Sequence, residues 1–141
     1  MNHFNFKKII LIVIPILLFV SMATYFAPRY GWRLFGFRYC ADPSTIFVDR
    51  ISIDYNDDFI ELFGDTSSSA AAYVGAFHKL DGNTLYVGVK YNYLTGFTNR
   101  DGRFVVHIPI DTEKIERIML KGNQSEKHIW TKGGPAPEPQ E

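Results

Sequence analysis

Residues 80–93, LDGNTLYVGVKYNY, decide the fold. Leu85, Val87, Val89, Tyr91 and Tyr93 place an apolar side chain at every second position, opposite Tyr86, Gly88, Lys90 and Asn92. A period of two sends alternate side chains to opposite faces of a strand, so this stretch reads as β structure with one buried face. Ahead of it, Leu80-Asp81-Gly82-Asn83 supplies residues that tolerate positive φ, as a tight hairpin demands. Residues 70–79 then become the preceding strand.

The same pattern extends outward. Phe47, Asp49, Ile51 and Ile53 oppose Val48, Arg50, Ser52 and Asp54, and the even-numbered side turns polar beyond Val48, so one face is expected to be wet. Residues 59–63 read as a strand. Asp101-Gly102 repeats the turn device before 103–110, where Phe104, Val106, Ile108 and Ile110 face one way and His107 the other. Residues 115–120 and 127–132 flank a polar loop and read as a closing hairpin, although Asp111-Thr112-Glu113-Lys114-Ile115 also fits the start of a short helix with Asp111 as N-cap. Short strands at this spacing, with turns between, predict a mainly β fold over 45–132, a small antiparallel β-sandwich or barrel-like domain. The tail, 133–141, includes Gly133, Gly134, Pro135, Pro137 and Pro139 and is expected to be disordered.

Toward the N-terminus the character changes. Residues 9–26, IILIVIPILLFVSMATYF, carry no charge and are entered through Lys7-Lys8. Eighteen helical residues rise roughly 27 Å, near the ~30 Å of a hydrocarbon core. Eleven Ile, Leu, Val and Phe residues between Ile9 and Val20 favour insertion by roughly 3 to 6 kcal/mol in sum. Pro15 is tolerated inside a lipid-embedded helix. A chain of 141 residues makes too modest a core to enclose a helix apolar on every side. A basic leader over 1–8 and a transmembrane helix over 9–27 are therefore expected.

Ser21-Met22-Ala23 fits the small-x-small pattern of signal-peptide cleavage, so this segment reads as a signal anchor or as a cleaved signal peptide. Thr24-Tyr25-Phe26 prolongs the apolar run, as an anchor would. Arg29, Arg33 and Arg38 after the helix outnumber Lys7 and Lys8 before it, against the positive-inside rule. The plan of a short basic leader and apolar run still favours a single-pass cell-membrane protein with its C-terminal domain outside the cytoplasm.

Fifteen basic and fifteen acidic residues cancel, but they are segregated. Residues 1–39 hold five basic side chains and no acidic ones; residues 42–132 hold ten basic and thirteen acidic. Residues 28–44 form an aromatic, arginine-rich juncture. Tyr25, Tyr30, Trp32, Arg29 and Arg33 suit a membrane interface, where an apolar body lies inward and a polar tip stays wet. The aromatics of this region equally suit a cover packed under the β-domain. Nucleic-acid binding is set aside, because the folded domain is acidic. Cys40, the lone cysteine, has no internal partner, and Phe37-Arg38-Tyr39 ahead of it is not a lipidation box. It reads as a small half-buried hydrophobe, with an intermolecular disulfide or a reactive thiol as the alternative.

Gly75-Ala76-Phe77, the run Asp81-Gly82-Asn83-Thr84-Leu85-Tyr86-Val87, and Ile115 to Gly122 closing on Ile129-Trp130 together resemble small membrane-anchored or lipoprotein-like bacterial envelope proteins with a C-terminal β-domain of uncharacterised role. The resemblance covers about residues 45–132 and implies an envelope β-domain, with no activity and no functional residue to carry over.

Signatures of the common catalytic mechanisms and of nucleotide binding are absent, so no catalytic residue and no cofactor are expected. His78, His107 and His128 fall on three separate strands. Asp54, Asn56 and Asp58 have the alternate spacing of calcium-loop oxygens, but Phe59 stands where such a loop needs glycine. A looser surface calcium site there competes with ordinary solvated turn acids. The expected function is a membrane-tethered extracytoplasmic domain that binds a protein or envelope component, with the lipid bilayer as its second partner. An immunity or toxin-neutralising protein and an envelope hydrolase are the alternatives.

Overall fold

The computed structural model describes residues 6–68, 71–92 and 101–134, with the backbone alone at 6–10, 27–30 and 32. It divides into two compact units, Met1–Phe35 and Gly36–Glu141. The expected tail beyond Gly134, together with Ala70 and Tyr93, lies outside the described residues.

The first unit is helical. Helix α1 runs over Phe6–Tyr30 with Pro15 in its interior. Its described side chains, Leu11 to Phe26, are all exposed. Among the described residues no helix is long and apolar enough to cross a membrane. This corrects the transmembrane helix expected over 9–27: a helix forms and overruns those bounds, over Phe6–Tyr30, but its described part is not the long apolar span that crossing requires. A 3₁₀ segment, Gly31–Tyr39, follows and is broken at Gly36 (φ 58°, ψ −130°), a conformation that glycine alone adopts freely.

In the second unit seven strands follow in chain order: β1 (Ile46–Asp54), β2 (Phe59–Thr66), β3 (Ala72–Asp81), β4 (Thr84–Asn92), β5 (Phe104–Pro109), β6 (Arg117–Lys121) and β7 (Glu126–Thr131). They form a three-stranded sheet, β1-β2-β5, and a four-stranded sheet, β3-β4-β6-β7. The hairpin read from residues 80–93 is present, with Asp81 opposite Thr84 and Gly82 at φ 58° in the turn. The expected closing hairpin, β6–β7, is also present.

Two expectations about pairing are corrected. Asp101-Gly102 does not lead into a strand that folds back on β4; β5 crosses to the other sheet and pairs antiparallel with β2. The chain then returns and β6 lies parallel to β4, so the fold is mostly rather than wholly antiparallel. Asp101 and Gly102 serve instead as links to the four-stranded sheet: the Tyr73 amide donates to the Asp101 carbonyl and the Tyr91 hydroxyl to that of Gly102, the latter at 2.9 Å. The alternative short helix at Asp111 materialises as one 3₁₀ turn, Thr112–Lys114, without a side-chain cap from Asp111. Lys114 pairs with that carboxylate and holds its pKa below the usual range.

Both sheets contribute to one core. Ile60, Leu62, Phe104, Val106 and Ile108 from one, and Leu85, Val87, Val89, Tyr91, Ile118, Leu120 and Ile129 from the other, belong to a single buried cluster. In β1 a bulge leaves Asp49 without a pair, since Val48 opposes Gly64 and Arg50 opposes Phe63. One extra residue reverses the inward phase of everything after it. Ile46 and Val48 face the core before the bulge, and Ile51 and Ile53 after it. The expected row Phe47, Asp49, Ile51, Ile53 is thus divided, with Phe47 on the outer side.

Candidate functional site

Strand alternation fixes what the outer face of β1-β2-β5 presents. With Ile60, Leu62, Val106 and Ile108 buried inward, Phe59, Glu61, Phe63 and Asp65 of β2 and Val105, His107 and Pro109 of β5 must point outward. Register aligns them in three rows: Arg50–Phe63–Val105, Ser52–Glu61–His107 and Asp54–Phe59–Pro109. The Arg50 guanidinium lies over the Phe63 ring, 4.1 Å from its centroid. His107 Nδ1 is 3.3 Å from Glu61 Oε1, and its ring leans on Phe59 with centroids 4.6 Å apart. Val105 is 53% exposed. The result is an aromatic and aliphatic face with a polar His107–Glu61 contact at its centre.

The middle row contains serine, glutamate and histidine, the residue types of a hydrolytic triad. Their order defeats the chemistry. Glu61 sits on the central strand between the other two, so Ser52 and His107 are two strand spacings apart, roughly 9.6 Å. A nucleophile and its base must be within about 3 Å of each other. His107 is within hydrogen-bond distance of Glu61 but cannot activate Ser52. His78 lies on β3 opposite Val87, and the His128 ring is 2.6 Å from the Thr131 hydroxyl on β7. The fold leaves these three histidines on three strands.

The calcium candidates are engaged in holding the β1–β2 turn. Asp54 Oδ1 accepts from the amides of Asn56 and Asp57 at 2.8 and 3.1 Å. Asp58, at φ 51°, accepts through Oδ1 from the Thr112 amide and hydroxyl, both at 3.2 Å. Its carbonyl accepts from Ile110. Thr112 is 1% exposed, so this carboxylate satisfies a buried polar group and straps the turn to the chain after β5. Among the described residues no group of three or more His, Cys, Asp or Glu could hold a metal ion.

Of the interface candidates, Tyr25 and Arg33 are exposed, and Tyr25 meets Phe26 edge-on. The side chains of Arg29, Tyr30 and Trp32 lie outside the described residues. The end of the juncture belongs to the β unit, which begins at Gly36 rather than near residue 45. Phe37 packs on Phe77 and Tyr86 of the four-stranded sheet, at centroid distances of 5.0 and 6.4 Å. Cys40 is buried, and burial pushes its thiol up to about 11. It is a packing residue, poorly reactive at neutral pH.

Sequence reading missed the outer face as a site because its two central residues are 46 positions apart. The available signal was the outward parity of His107. No family model, curated protein or solved structure matches this chain.

Proposed function

We propose that this chain is a membrane-tethered binding protein: after export, the apolar side chains of α1 seat in the lipid bilayer without crossing it, and the β-domain stays on the outer side of the cytoplasmic membrane. There the domain engages a protein or envelope component through the outer face of β1-β2-β5. The observation that carries this reading is the exposure of α1. Leu11, Leu17, Leu18 and Phe19 are all more than 60% exposed on different sides of the helix. Water makes such a surface costly, at roughly 25 cal/mol per Å², and lipid removes that cost. The row geometry that separates Ser52 from His107 favours binding over hydrolysis.

Fractionation of cells expressing the full chain tests the tether. The protein is expected in the membrane pellet after alkaline carbonate extraction, and a reporter fused after Thr131 is expected to be active only outside the cytoplasm. Release into the carbonate supernatant of an uncleaved chain would overturn the tether; a cytoplasmic reporter signal would overturn the orientation.

A further inference from the structure

We propose that the outer face of β3-β4-β6-β7 lies on anionic lipid headgroups and so orients the domain, an inference that rests on the tethering reading above. Register and alternation define this face. Lys79 and Met119 are both partners of Tyr86, and alternation adds Lys90, Arg117 and Lys121 to the same side. Four cations therefore share the face with two acids, Asp81 at the β3–β4 turn and Glu126, the latter paired with Lys121. Lys79 and Arg117 are exposed.

The opposite face of the domain has the reverse balance. Arg50 stands there against Asp54, Glu61 and Asp65, with Asp49 exposed at the bulge. Two packed sheets are separated by about 10 Å, comparable with the ~8 Å Debye length at physiological salt. An anionic surface therefore acts about three times more strongly on the nearer face. With β3-β4-β6-β7 turned down, its four cations lie in the stronger field and the acids of the opposite face in the weaker one.

The path of the chain points to the same face. Gly36 to Ala41, through which the chain enters the domain, runs across it: Phe37 covers Phe77 and Tyr86, the Ala41 amide donates to Val89, and Lys90 Nζ is 5.9 Å from the Tyr39 ring centroid. Arg38 and Tyr39 are exposed, residues suited to the headgroup layer. Charge and chain entry thus coincide on one side of the domain, whereas the aromatic face of β1-β2-β5 remains on the other.

The test uses the full chain reconstituted into phosphatidylcholine vesicles with or without phosphatidylglycerol. A membrane-impermeant acylating ester labels lysines, a carbodiimide labels carboxylates, and mass spectrometry reads each site. Acylation of Lys79 is expected to slow by about fivefold in the anionic vesicles and to recover in high salt, while labelling of Glu61 and Asp65 stays unchanged. The double variant Lys79→Glu/Arg117→Glu, altered only at exposed positions, is expected to lose the lipid dependence of labelling at Lys90 and Lys121. Equal Lys79 rates in both vesicle types, on protein that floats with both, would overturn the orientation and leave the tether standing. Protein that floats with neither would overturn the tether and this inference with it.

Discussion

A methyl group added to Gly88 would meet the Cys40 sulfur at 2.5 Å, a Phe37 ring carbon at 2.8 Å and the Lys121 carbonyl oxygen at 2.9 Å. Two of those neighbours belong to the segment covering the sheet and the third to the adjacent strand's backbone. No single rotamer change relieves all three. Gly88→Ala is expected to destabilise the domain by about 1–3 kcal/mol, the usual penalty for overfilling a packed site. Urea unfolding followed by circular dichroism measures it; a loss below about 0.5 kcal/mol would mean that the covering segment has slack. Glycine in the middle of a strand otherwise weakens it, so this position trades strand propensity for close approach. In the sequence Gly88 was legible as a strand residue, but nothing local announced that Cys40 would lie on it.

At the level of elements, the edges of both sheets are defended. Of the four edge strands, β1 carries a bulge at Asp49, β3 one at Val74 and β7 one at Ile129. Bulges twist an edge away from chance pairing with another chain. In β1 the extra residue can be removed without moving any side chain to the wrong face: Ile46, Val48, Ile51 and Ile53 would then alternate regularly. Deletion of Asp49 is expected to keep the domain folded within about 1 kcal/mol and to raise its tendency to self-associate, because the edge becomes straight. Calorimetry and light scattering read the two effects, and an unfolded variant would show that the bulge is needed for pairing itself. The strands were legible because alternation is a local signal, and β4 and β5 match their predicted apolar rows. The bulge in β1 was not, since its even and odd rows each contain both apolar and polar residues. The parallel pairing of β6 with β4 was also hidden, because partner choice across a crossover leaves no mark within either strand.

For the whole β unit, one core shared by two sheets implies one folding transition. Ile115 and Thr112, from the connection between β5 and β6, are as buried as the strands they join, so no sheet has a core of its own to retain. Far-ultraviolet dichroism and the near-ultraviolet signal of Trp130, which packs against that core, are expected to change at the same urea concentration. Separated midpoints would mean that the sheets unfold independently. The candidate binding face was less legible than this architecture: outward parity placed His107 correctly, while its pairing with Glu61 depends on a strand from elsewhere in the chain. The segment that leads into the β unit has a mechanical consequence as well. Tension applied through the N-terminal chain is borne first by the seam at Phe37, Cys40 and the Ala41–Val89 hydrogen bond. That seam peels one residue at a time, whereas strand ladders shear as a block, so the six residues from Gly36 to Ala41 act as a shock absorber that yields before the sheets carry load.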